Sequence, residues 1–359
     1  MAKVRVAVVM GGRSSEHEIS LASARSVLES LDPARYETVT VEIGRDGRWE
    51  LGSGSPLELE HDGRSVVETL PVPTSRVPAT LAEVDVVFPV LHGPFGEDGT
   101  VQGLLELADV PYVGAGVTAS ALCMDKDLFK SVLRDHGIPV TRSVTLRRKA
   151  DARAKPARPE SGAASGALAD DFENPYGFPV FVKPARLGSS VGITKARGEE
   201  ELRAGLELAF RHDEKVLVEE FVDGVEVECS VLGNEEPIAS IPGEIVANAD
   251  WYDFSAKYDE GGMDLVVPPR VPEKSIERVQ ELSVQAFRVT ECEGMARVDC
   301  FVREDGDVLI NELNTIPGFT ATSVYAKLFE ASGIPYEELL ERLVQLALER
   351  HERRAKLKF

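Results

Sequence analysis

Three oxygen-bearing side chains in the last quarter of the chain have the types and spacing of a metal site. Asp299 lies in the predicted strand 295–302, and Glu312 and Asn314 lie two residues apart in the next predicted strand. Side chains alternate along a strand, so Glu312 and Asn314 share one face. A tight turn between the strands would bring Asp299 beside them. Such oxygen ligands suit Mg²⁺ bound together with phosphate groups, whereas the structural alternative is a solvated hairpin face.

Arg297 precedes Asp299 by two residues and therefore lies on the same face of that strand. A fixed cation beside a metal site suits the stabilisation of an anionic intermediate. The alternative is a salt bridge between Arg297 and one of the neighbouring carboxylates.

A glycine-rich loop, 188–192, follows Lys183 and contains Ser189 and Ser190 between its two glycines. Backbone N–H groups of such a loop can face an anion, and Lys183 could reach the same phosphate. An ordinary hairpin turn is the structural alternative. The Walker motif is excluded, because no Gly-Lys dipeptide occurs anywhere in the chain.

The same loop matches the G-x-S-x-G turn of serine hydrolases, which is a rival reading with Ser190 as nucleophile. That reading needs a later histidine, and only His212 and His351 follow Ser190. Both lie among charged residues typical of a surface. The turn also needs a helix after the serine, but Ile193-Thr194 is typical of a strand. The sequence therefore disfavours a hydrolase.

Two further residues lie where predicted strands of the N-terminal third end. Glu16 follows the first predicted strand, 4–10, in the crevice position of an open α/β sheet, and its carboxylate could hold an ammonium group. The alternative is an acidic cluster at the start of a helix. His92 ends the predicted strand 84–91; a lone histidine is usually structural, but this position favours a function.

The chain of 359 residues is too long for one hydrophobic core and indicates two or three domains. Its first third alternates strands and helices, which predicts a parallel α/β unit. The segment 147–174 is rich in Ala, Arg, Pro, Gly and Ser, and we expect a flexible insertion there. Further elements are predicted at 38–43, 127–136, 178–182, 216–222, 225–232, 276–289, 308–313 and 339–347.

Composition excludes several classes of partner. The net charge of −21 would repel nucleic acid and anionic membranes, and no apolar run is long enough to span a bilayer. The start of the chain lacks the cleavage site of a signal peptide, so we expect a cytoplasmic protein. No zinc-type spacing occurs, and we expect four reduced thiols. They are Cys123, Cys229, Cys292 and Cys300.

Taken together, the motifs resemble those of D-alanine–D-alanine ligases, which belong to the ATP-grasp superfamily. The ordered set is highly specific, although each piece is only moderately so. The pieces are Gly11-Gly12-x-Ser14-x-Glu16-x-Glu18-x-Ser20, Leu91-His92-Gly93-x-x-Gly96-Glu97-Asp98-Gly99-Thr100-x-Gln102-Gly103, Met124-Asp125-Lys126, Lys183-Pro184-x-x-x-Gly188-Ser189-Ser190-Val191-Gly192, Tyr252-Asp253-x-x-x-Lys257-Tyr258, Arg297-x-Asp299 and Asn311-Glu312-x-Asn314-Thr315-x-Pro317-Gly318. The insertion 147–174 is longer and more polar than the family needs.

The resemblance implies a three-domain ATP-grasp architecture of α/β class. A parallel α/β domain, 1–121, would bind substrate, and two α+β domains, 122–223 and 224–359, would clamp ATP. The implied reaction joins two D-alanine molecules through an acylphosphate, for peptidoglycan synthesis, in a homodimer. Alternatives are D-lactate or D-serine as the second substrate.

The resemblance also implies roles for individual residues. Those expected to bind ATP are Lys126, Lys183, Ser190, Glu219, Phe221, Val222, Glu226 and Lys257. Those expected to hold two Mg²⁺ or Mn²⁺ ions are Asp299, Glu312 and Asn314. Those expected to bind or activate substrate are Glu16, His92, Ser189, Tyr258, Arg297, Gly318 and Ser323. Among these, Tyr258 would sit on a lid and Ser189 would help to place it.

Overall fold

The structure is a computed structural model of the chain. It describes residues 2–52, 70–72, 81, 83–148, 172–188, 190–247 and 263–358. Ser189, Lys257, Tyr258 and most of the predicted insertion therefore lie outside the described residues.

The first sheet is built around the apolar run Val4–Gly11, whose residues from Val6 onward are buried. A strand buried on both faces reads as a continuous apolar run, which explains why this segment lies at the centre of a sheet. The strand order is β4-β3-β2-β1-β5. The strands are β1 (Val4–Gly11), β2 (Tyr36–Ile43), β3 (Trp49–Gly52), β4 (Leu70–Val72) and β5 (Val86–Pro89).

The predicted parallel arrangement holds for the three central strands, because β1 pairs in parallel with both β2 and β5. The sheet as a whole is mixed, since β3 and β4 extend it in antiparallel fashion. The core on one face includes residues of helix α1 (His17–Ser30). It also includes residues of the two last helices, α7 (Val324–Ala331) and α8 (Tyr336–Ala355).

The second sheet has the order β6-β9-β7-β8, and its pairings are antiparallel. Helix α5 (Glu199–Ala209) covers its apolar face with Leu202 and Leu206. The strands are β6 (Ser143–Arg147), β7 (Val180–Pro184), β8 (Thr194–Ala196) and β9 (Lys215–Glu220).

The third sheet, also antiparallel, has the order β13-β12-β10-β14-β15, with β11 paired to β10. Its strands are β10 (Val225–Gly233), β11 (Ile238–Ala239), β12 (Gly243–Ala247), β13 (Met263–Val266), β14 (Gly294–Val302) and β15 (Val308–Asn314). Residues of three helices share its core. They are α3 (Val117–Met124), α4 (Lys126–Asp135) and α6 (Glu273–Val289). Helix α2 (Thr100–Leu107) packs on the first sheet.

The predicted elements agree in type with the observed ones. Their ends lie within three residues of the observed ends, except that the last helix continues to Ala355, eight residues beyond the predicted end at 347. The predicted domain limits stay a prediction, and two cores cross them. Helix α8 shares a core with β1, and helix α4 shares one with β14. Within the described part of the chain, no helix is long and apolar enough to span a membrane.

Candidate active site

An open cleft of about 490 Å³ is lined by residues of the second and third sheets. This volume is that of an ordinary small-molecule site. The residues expected to bind ATP that line the cleft are Lys183, Ser190, Glu219, Phe221, Val222 and Glu226. Glu312, one of the expected metal ligands, lines it as well. The structure therefore brings six of the eight expected nucleotide residues and one expected metal ligand to a single cleft, whereas Lys126 lies outside its lining.

A buried charge cluster forms the floor of this cleft. Lys183 Nζ lies 2.5 Å from Glu219 Oε1 and 3.3 Å from Asn311 Oδ1. The other oxygen of Glu219 binds the ammonium of Lys130, which also donates to Thr141 Oγ1 at 2.5 Å. Burial favours the neutral carboxyl, but the two ammonium groups hold the pKa of Glu219 below its usual value. Burial lowers the pKa of Lys130 to about 8, although Glu219 opposes this shift.

Lys130 is a site residue that the sequence analysis missed. It is fully buried and lies one helical turn after Lys126 in α4. Two lysines four residues apart on one helix share a face, and that spacing was the available signal.

Lys126 is placed by the start of helix α4. The Asp125 side chain caps this helix by accepting a hydrogen bond from the Leu128 N–H at 3.1 Å. Lys126 Nζ then lies 2.9 Å from the carbonyl oxygen of Leu187, at the start of the glycine-rich loop. It also lies 3.3 Å from Glu312 Oε2. Lys126 therefore joins the loop to the carboxylates of the third sheet.

The three expected metal ligands come together on neighbouring strands. Asp299 on β14 pairs directly with Glu312 on β15, and the register shifts immediately after Asp299. The Asn314 amide nitrogen donates to Asp299 Oδ2 at 3.0 Å. Two carboxylates and an amide oxygen form a hard-oxygen donor set, which fits Mg²⁺ or Mn²⁺. Among the described residues, no group of three His, Cys, Asp or Glu side chains is arranged to hold a metal.

Arg297 makes the salt bridge that the sequence left open as an alternative. Its Nε and Nη2 each donate to one oxygen of Asp299 at 2.7 Å, and Nε lies 2.9 Å from Glu228 Oε2. Although burial opposes the charge, Asp299 and Glu228 raise the pKa of Arg297 well above its usual value. Arg297 is therefore a permanently charged, fixed group beside the expected metal ligands.

Glu228 was also missed by the sequence analysis. It lies on β10 directly opposite Asp299 and is buried. The signal was present, because Glu226 had been singled out and residues two apart on a strand share a face.

Glu16 occupies the N-cap position of α1 without capping it through its side chain. It is buried, with only 7% of the residue exposed. A Cβ on Gly93 would lie 2.9 Å from Glu16 Oε2, and one on Gly188 would lie 3.7 Å from it. The Glu16 carboxylate therefore sits between the loop after β5 and the glycine-rich loop.

Glu97 is a further acidic residue and lies beside Glu16. The sequence analysis assigned it no role. Burial, and next the charge of Glu16, raise the pKa of Glu97 to about 8. Its two oxygens accept hydrogen bonds from the Gly93 N–H at 2.7 Å and the Ile316 N–H at 3.0 Å. A small pocket of about 30 Å³ is lined by Glu97 together with residues of the expected nucleotide and metal sites. They include Glu97, Lys126, Gly188, Glu312 and Asn314.

His92 is almost fully buried, and both of its ring nitrogens face protein groups. Nδ1 lies 3.0 Å from the Ile316 carbonyl oxygen, and Nε2 lies 3.4 Å from Ser23 Oγ. Gly318 and Ser323 are close to each other, since a Cβ on Gly318 would lie 3.3 Å from Ser323 Oγ. The place of His92 beside a substrate stays a prediction.

The hydrolase alternative finds no support around Ser190. The segment that follows this serine leads into strand β8 rather than a helix. His212 is exposed, and His351 lies 3.1 Å from Asp109 in a contact between exposed side chains. All four cysteines are unpaired and buried, as expected for reduced thiols.

A lysine-lined cleft between two antiparallel sheets, with carboxylates at its edge, is the arrangement of a nucleotide- and metal-dependent enzyme of the ATP-grasp type. Two family models match the chain. The D-ala D-ala ligase N-terminus model covers residues 5–115, and the D-ala D-ala ligase C-terminus model covers residues 132–345. The chain belongs to the D-alanine–D-alanine ligase family. It is an ATP-dependent ligase that works with a divalent metal ion.

Individual relatives agree with this assignment. The D-alanine–D-alanine ligase A of Chromobacterium violaceum is 45% identical over 98% of this chain and 96% of its own. The VanG D-Ala:D-Ser ligase of Enterococcus faecalis is 36% identical, with a TM-score of 0.80, over 96% of this chain and 100% of its own. The Bacillus anthracis D-alanine–D-alanine ligase, solved in complex with ATP, is 27% identical, with a TM-score of 0.75, over 98% of this chain and 99% of its own.

Proposed function

We propose that this chain uses ATP to join two molecules of D-alanine into D-alanyl-D-alanine for peptidoglycan synthesis. The observation that carries the proposal is the small pocket around Glu97. Its lining combines a phosphate-binding lysine, Lys126, the glycine-rich loop at Gly188, and the metal ligands Glu312 and Asn314. Groups assigned to the nucleotide and the metal ion therefore meet at one point. The carboxylate expected to hold the substrate ammonium lies next to it, since a Cβ on Gly188 would lie 3.7 Å from Glu16 Oε2.

In the nucleotide site, Lys126 and Lys183 would hold phosphate oxygens. Lys183 lines the cleft, Lys126 lines the small pocket that shares Glu312 with the cleft, and both ammonium groups already pair with carboxylates. The half-exposed Phe221 ring offers an apolar surface to the adenine. The remaining residues assigned to ATP are Ser190, Glu219, Val222 and Glu226 from the cleft, and Lys257 from outside the described residues.

In the metal site, Asp299, Glu312 and Asn314 would hold two Mg²⁺ or Mn²⁺ ions together with ATP phosphates. When bound, the ions neutralise the charge that develops on the transferred phosphoryl group. The third sheet prepares this site by placing Asp299 directly opposite Glu312. Two carboxylates in this arrangement repel each other unless a cation lies close by.

In the substrate site, Glu16 would bind the ammonium group of the first D-alanine. Arg297 and the Gly318 N–H would polarise its carboxyl group, and Ser323 would bind the carboxylate of the second D-alanine. His92 would lie beside the first substrate. Ser189 and Tyr258 would place a lid over the site.

The reaction needs activation because a carboxylate is a poor electrophile at neutral pH. A carboxylate oxygen of the first D-alanine attacks the γ-phosphorus of ATP, ADP leaves, and an acylphosphate forms. The neutral amino nitrogen of the second D-alanine then attacks the carbonyl carbon. The C–O bond to phosphate breaks as the peptide bond forms, and inorganic phosphate leaves with the proton that the nitrogen loses. Arg297 and the Gly318 N–H stabilise the negative charge on the carbonyl oxygen. The site must exclude water, because water would hydrolyse the acylphosphate.

The family resemblance also supports a homodimer that works in the cytoplasm. The second substrate is the point at which relatives differ, since the VanG protein from Enterococcus faecalis is a D-Ala:D-Ser ligase.

The test is to incubate the protein with ATP, Mg²⁺ and D-alanine, and to measure ADP, phosphate and dipeptide. We expect one ADP for each D-alanyl-D-alanine, and no ADP above background with L-alanine. Parallel reactions with equal D-alanine and D-serine, or D-alanine and D-lactate, identify the second substrate. Equal turnover with L-alanine, or product without ATP, would contradict the proposal.

A further inference from the structure

The short segment 316–319 carries Gly318, and the residues on both sides of this glycine are held by side chains from elsewhere in the chain. Ile316 and Phe319 are buried, with 2% and 0% exposed. Each of them has both its backbone N–H and its backbone carbonyl bound by a side chain. Four side chains supply these bonds, and we call them the Gly318 clamp: Ser23, His92, Glu97 and Tyr336.

On the N-terminal side of Gly318, both backbone groups of Ile316 are bound by the loop that follows β5. The Ile316 N–H donates to Glu97 Oε1 at 3.0 Å, and its carbonyl oxygen lies 3.0 Å from His92 Nδ1. The second oxygen of Glu97 accepts the Gly93 N–H at 2.7 Å, so this acid also fixes its own loop. Two residues only five positions apart therefore hold both peptide groups that flank Ile316.

On the C-terminal side of Gly318, Phe319 is held by helices α1 and α8. Its N–H donates to Ser23 Oγ at 3.2 Å, and its carbonyl oxygen accepts a hydrogen bond from the Tyr336 hydroxyl at 2.8 Å. Its ring packs against Phe88 and Tyr336, with centroid distances of 5.5 and 5.8 Å. This side of the glycine is thus fixed by both packing and hydrogen bonds.

His92 links the two sides of Gly318. Simple donor and acceptor rules assign the hydrogens of the bonds made by His92 and Ser23. The Ile316 carbonyl only accepts, so His92 Nδ1 carries the proton. The Phe319 N–H only donates, so Ser23 Oγ accepts it and turns its own hydrogen toward His92 Nε2, 3.4 Å away. Burial lowers the pKa of His92, which favours this neutral form. Both ring nitrogens are therefore used within the protein.

We propose that Ser23, His92, Glu97 and Tyr336 are positioning residues that hold the Gly318 N–H toward the reacting carboxyl group. The inference rests on the proposed function, in which this N–H stabilises the developing oxyanion. Such a donor is effective only when its position is fixed before the reaction. Within the residues that the structure describes, no hydrogen bond uses the Gly318 N–H.

The proposal gives His92 a different task from that of a substrate ligand. A ligand for D-alanine would present a ring nitrogen to the substrate, and its removal would mainly weaken substrate binding. A positioning residue acts through Ile316 and Ser23, so its removal would mainly slow turnover. If His92 acts as a positioning residue, the loss of turnover on replacing His92 should also depend on whether Ser23 is present.

The first test is Ser23→Ala, with Ser275→Ala as the matched control. Both serines are buried, and each hydroxyl contacts a backbone group; Ser275 donates to the Gly306 carbonyl, in the turn between β14 and β15. We expect Ser23→Ala to lower kcat roughly 10-fold while KM for ATP stays within about twofold, because only the oxyanion donor moves. Ser275→Ala should leave both constants within about twofold. Tyr336→Phe, which removes only one hydroxyl, should lower kcat in the same way and serves if Ser23→Ala does not fold.

The second test separates the two ring nitrogens of His92. In His92→Asn the amide nitrogen can replace Nδ1 as the donor to Ile316 but cannot reach Ser23, whereas His92→Gln reaches toward Ser23 instead. If the clamp acts as a unit, the double variant Ser23→Ala/His92→Asn should lose little more turnover than either single variant. Two independent roles would multiply the two losses.

The outcomes distinguish the clamp from the proposed function on which it rests. If the wild type forms no dipeptide from D-alanine and ATP, the proposed function itself fails. If the wild type is active but Ser23→Ala and Tyr336→Phe match Ser275→Ala, the clamp is wrong. It is also wrong if both His92 variants raise KM for D-alanine with kcat unchanged.

Discussion

The two halves of the candidate site are held in different ways. On the nucleotide side, buried charges hold one another, with Lys130 and Lys183 paired to Glu219 and Lys126 to Glu312. On the substrate side, the Gly318 clamp consists of side chains bound to backbone groups. Its acid, Glu97, has a pKa raised to about 8, first by burial and next by Glu16, so it is mostly uncharged at neutral pH.

The difference follows from what each half must bind. A polyphosphate needs cations, and ammonium groups that pair with carboxylates can exchange one oxygen partner for another when phosphates arrive. A developing oxyanion needs a donor that does not move during the reaction. Hydrogen bonds to backbone groups fix the donor without adding a charge that would bind to the donor or repel the oxyanion. The nucleotide half should therefore depend on charge, and the Gly318 N–H in the substrate half on geometry.

Among variants that disrupt the nucleotide half, we expect the largest loss of turnover at the expected metal ligands. Asp299→Asn and Glu312→Gln should each lower turnover by roughly 10²-fold or more, because each removes one negative ligand while keeping the shape. The measurement is initial rate against Mg²⁺ concentration, with circular dichroism to confirm folding. Glu304→Gln, in the exposed turn between β14 and β15, is the control and should behave like the wild type. Near-normal turnover of the Asp299 variant at limiting Mg²⁺ would contradict the metal assignment.

A smaller effect is expected at the buried lysine. Lys130→Met should lower the free energy of unfolding by about 3 kcal/mol, since it removes one partner of a buried ion pair. It should also raise KM for ATP several-fold, because Glu219 and Lys183 lose their fixed arrangement. Urea unfolding and steady-state kinetics give the two values.

Lys215→Met provides the matched control for this prediction. Lys215 is similarly buried and pairs with Asp125 and Asp127 at 2.7 Å, but neither of these partners lines the cleft, whereas Glu219, the partner of Lys130, does. We expect a similar loss of stability with KM for ATP within about threefold of the wild type. An equal rise in KM in both variants would show that general destabilisation, not the position of Glu219, causes it.

The same contrast explains how much of the site was predictable from the sequence. The closeness of the three expected metal ligands was predictable, because strand alternation fixes which side chains share a face and a short turn fixes which strands are neighbours. Asp299 and Glu312 lie opposite each other as that reasoning required. The elements that were predicted were right in type for the same reason, since the pattern of apolar residues is local.

The clamp was not predictable in this way. Ser23 and Phe319 are 296 positions apart, and their hydrogen bond depends on how α1 lies against the segment after β15. A serine on the apolar face of a helix does not indicate which distant residue it will bind by a hydrogen bond. The antiparallel strands β3 and β4 were missed for a related reason, because the segment around them contains few large apolar residues and its pairing partner is set by the finished sheet.

The last effect expected is a change in the pH dependence of stability, and it tests whether Glu97 is uncharged. The pKa of the Glu97 carboxyl rises from 4.5 to about 8 on folding. Between these two pH values, the carboxyl therefore carries a proton in the folded chain but not in the unfolded chain. Its contribution to the free energy of unfolding therefore falls as pH rises between these values. Glutamine does not titrate, so Glu97→Gln should remove this contribution.

We therefore expect the wild type to exceed Glu97→Gln in stability most at pH 5 and least at pH 8, as measured by urea unfolding at several pH values. Glu304→Gln controls for the loss of one negative charge from an acidic protein. The opposite slope, with the advantage of the wild type growing as pH rises, would mean that Glu97 is ionised in the folded chain. The clamp would then hold its backbone donors through a charge, as the nucleotide half does, and the proposed contrast between the two halves would fail.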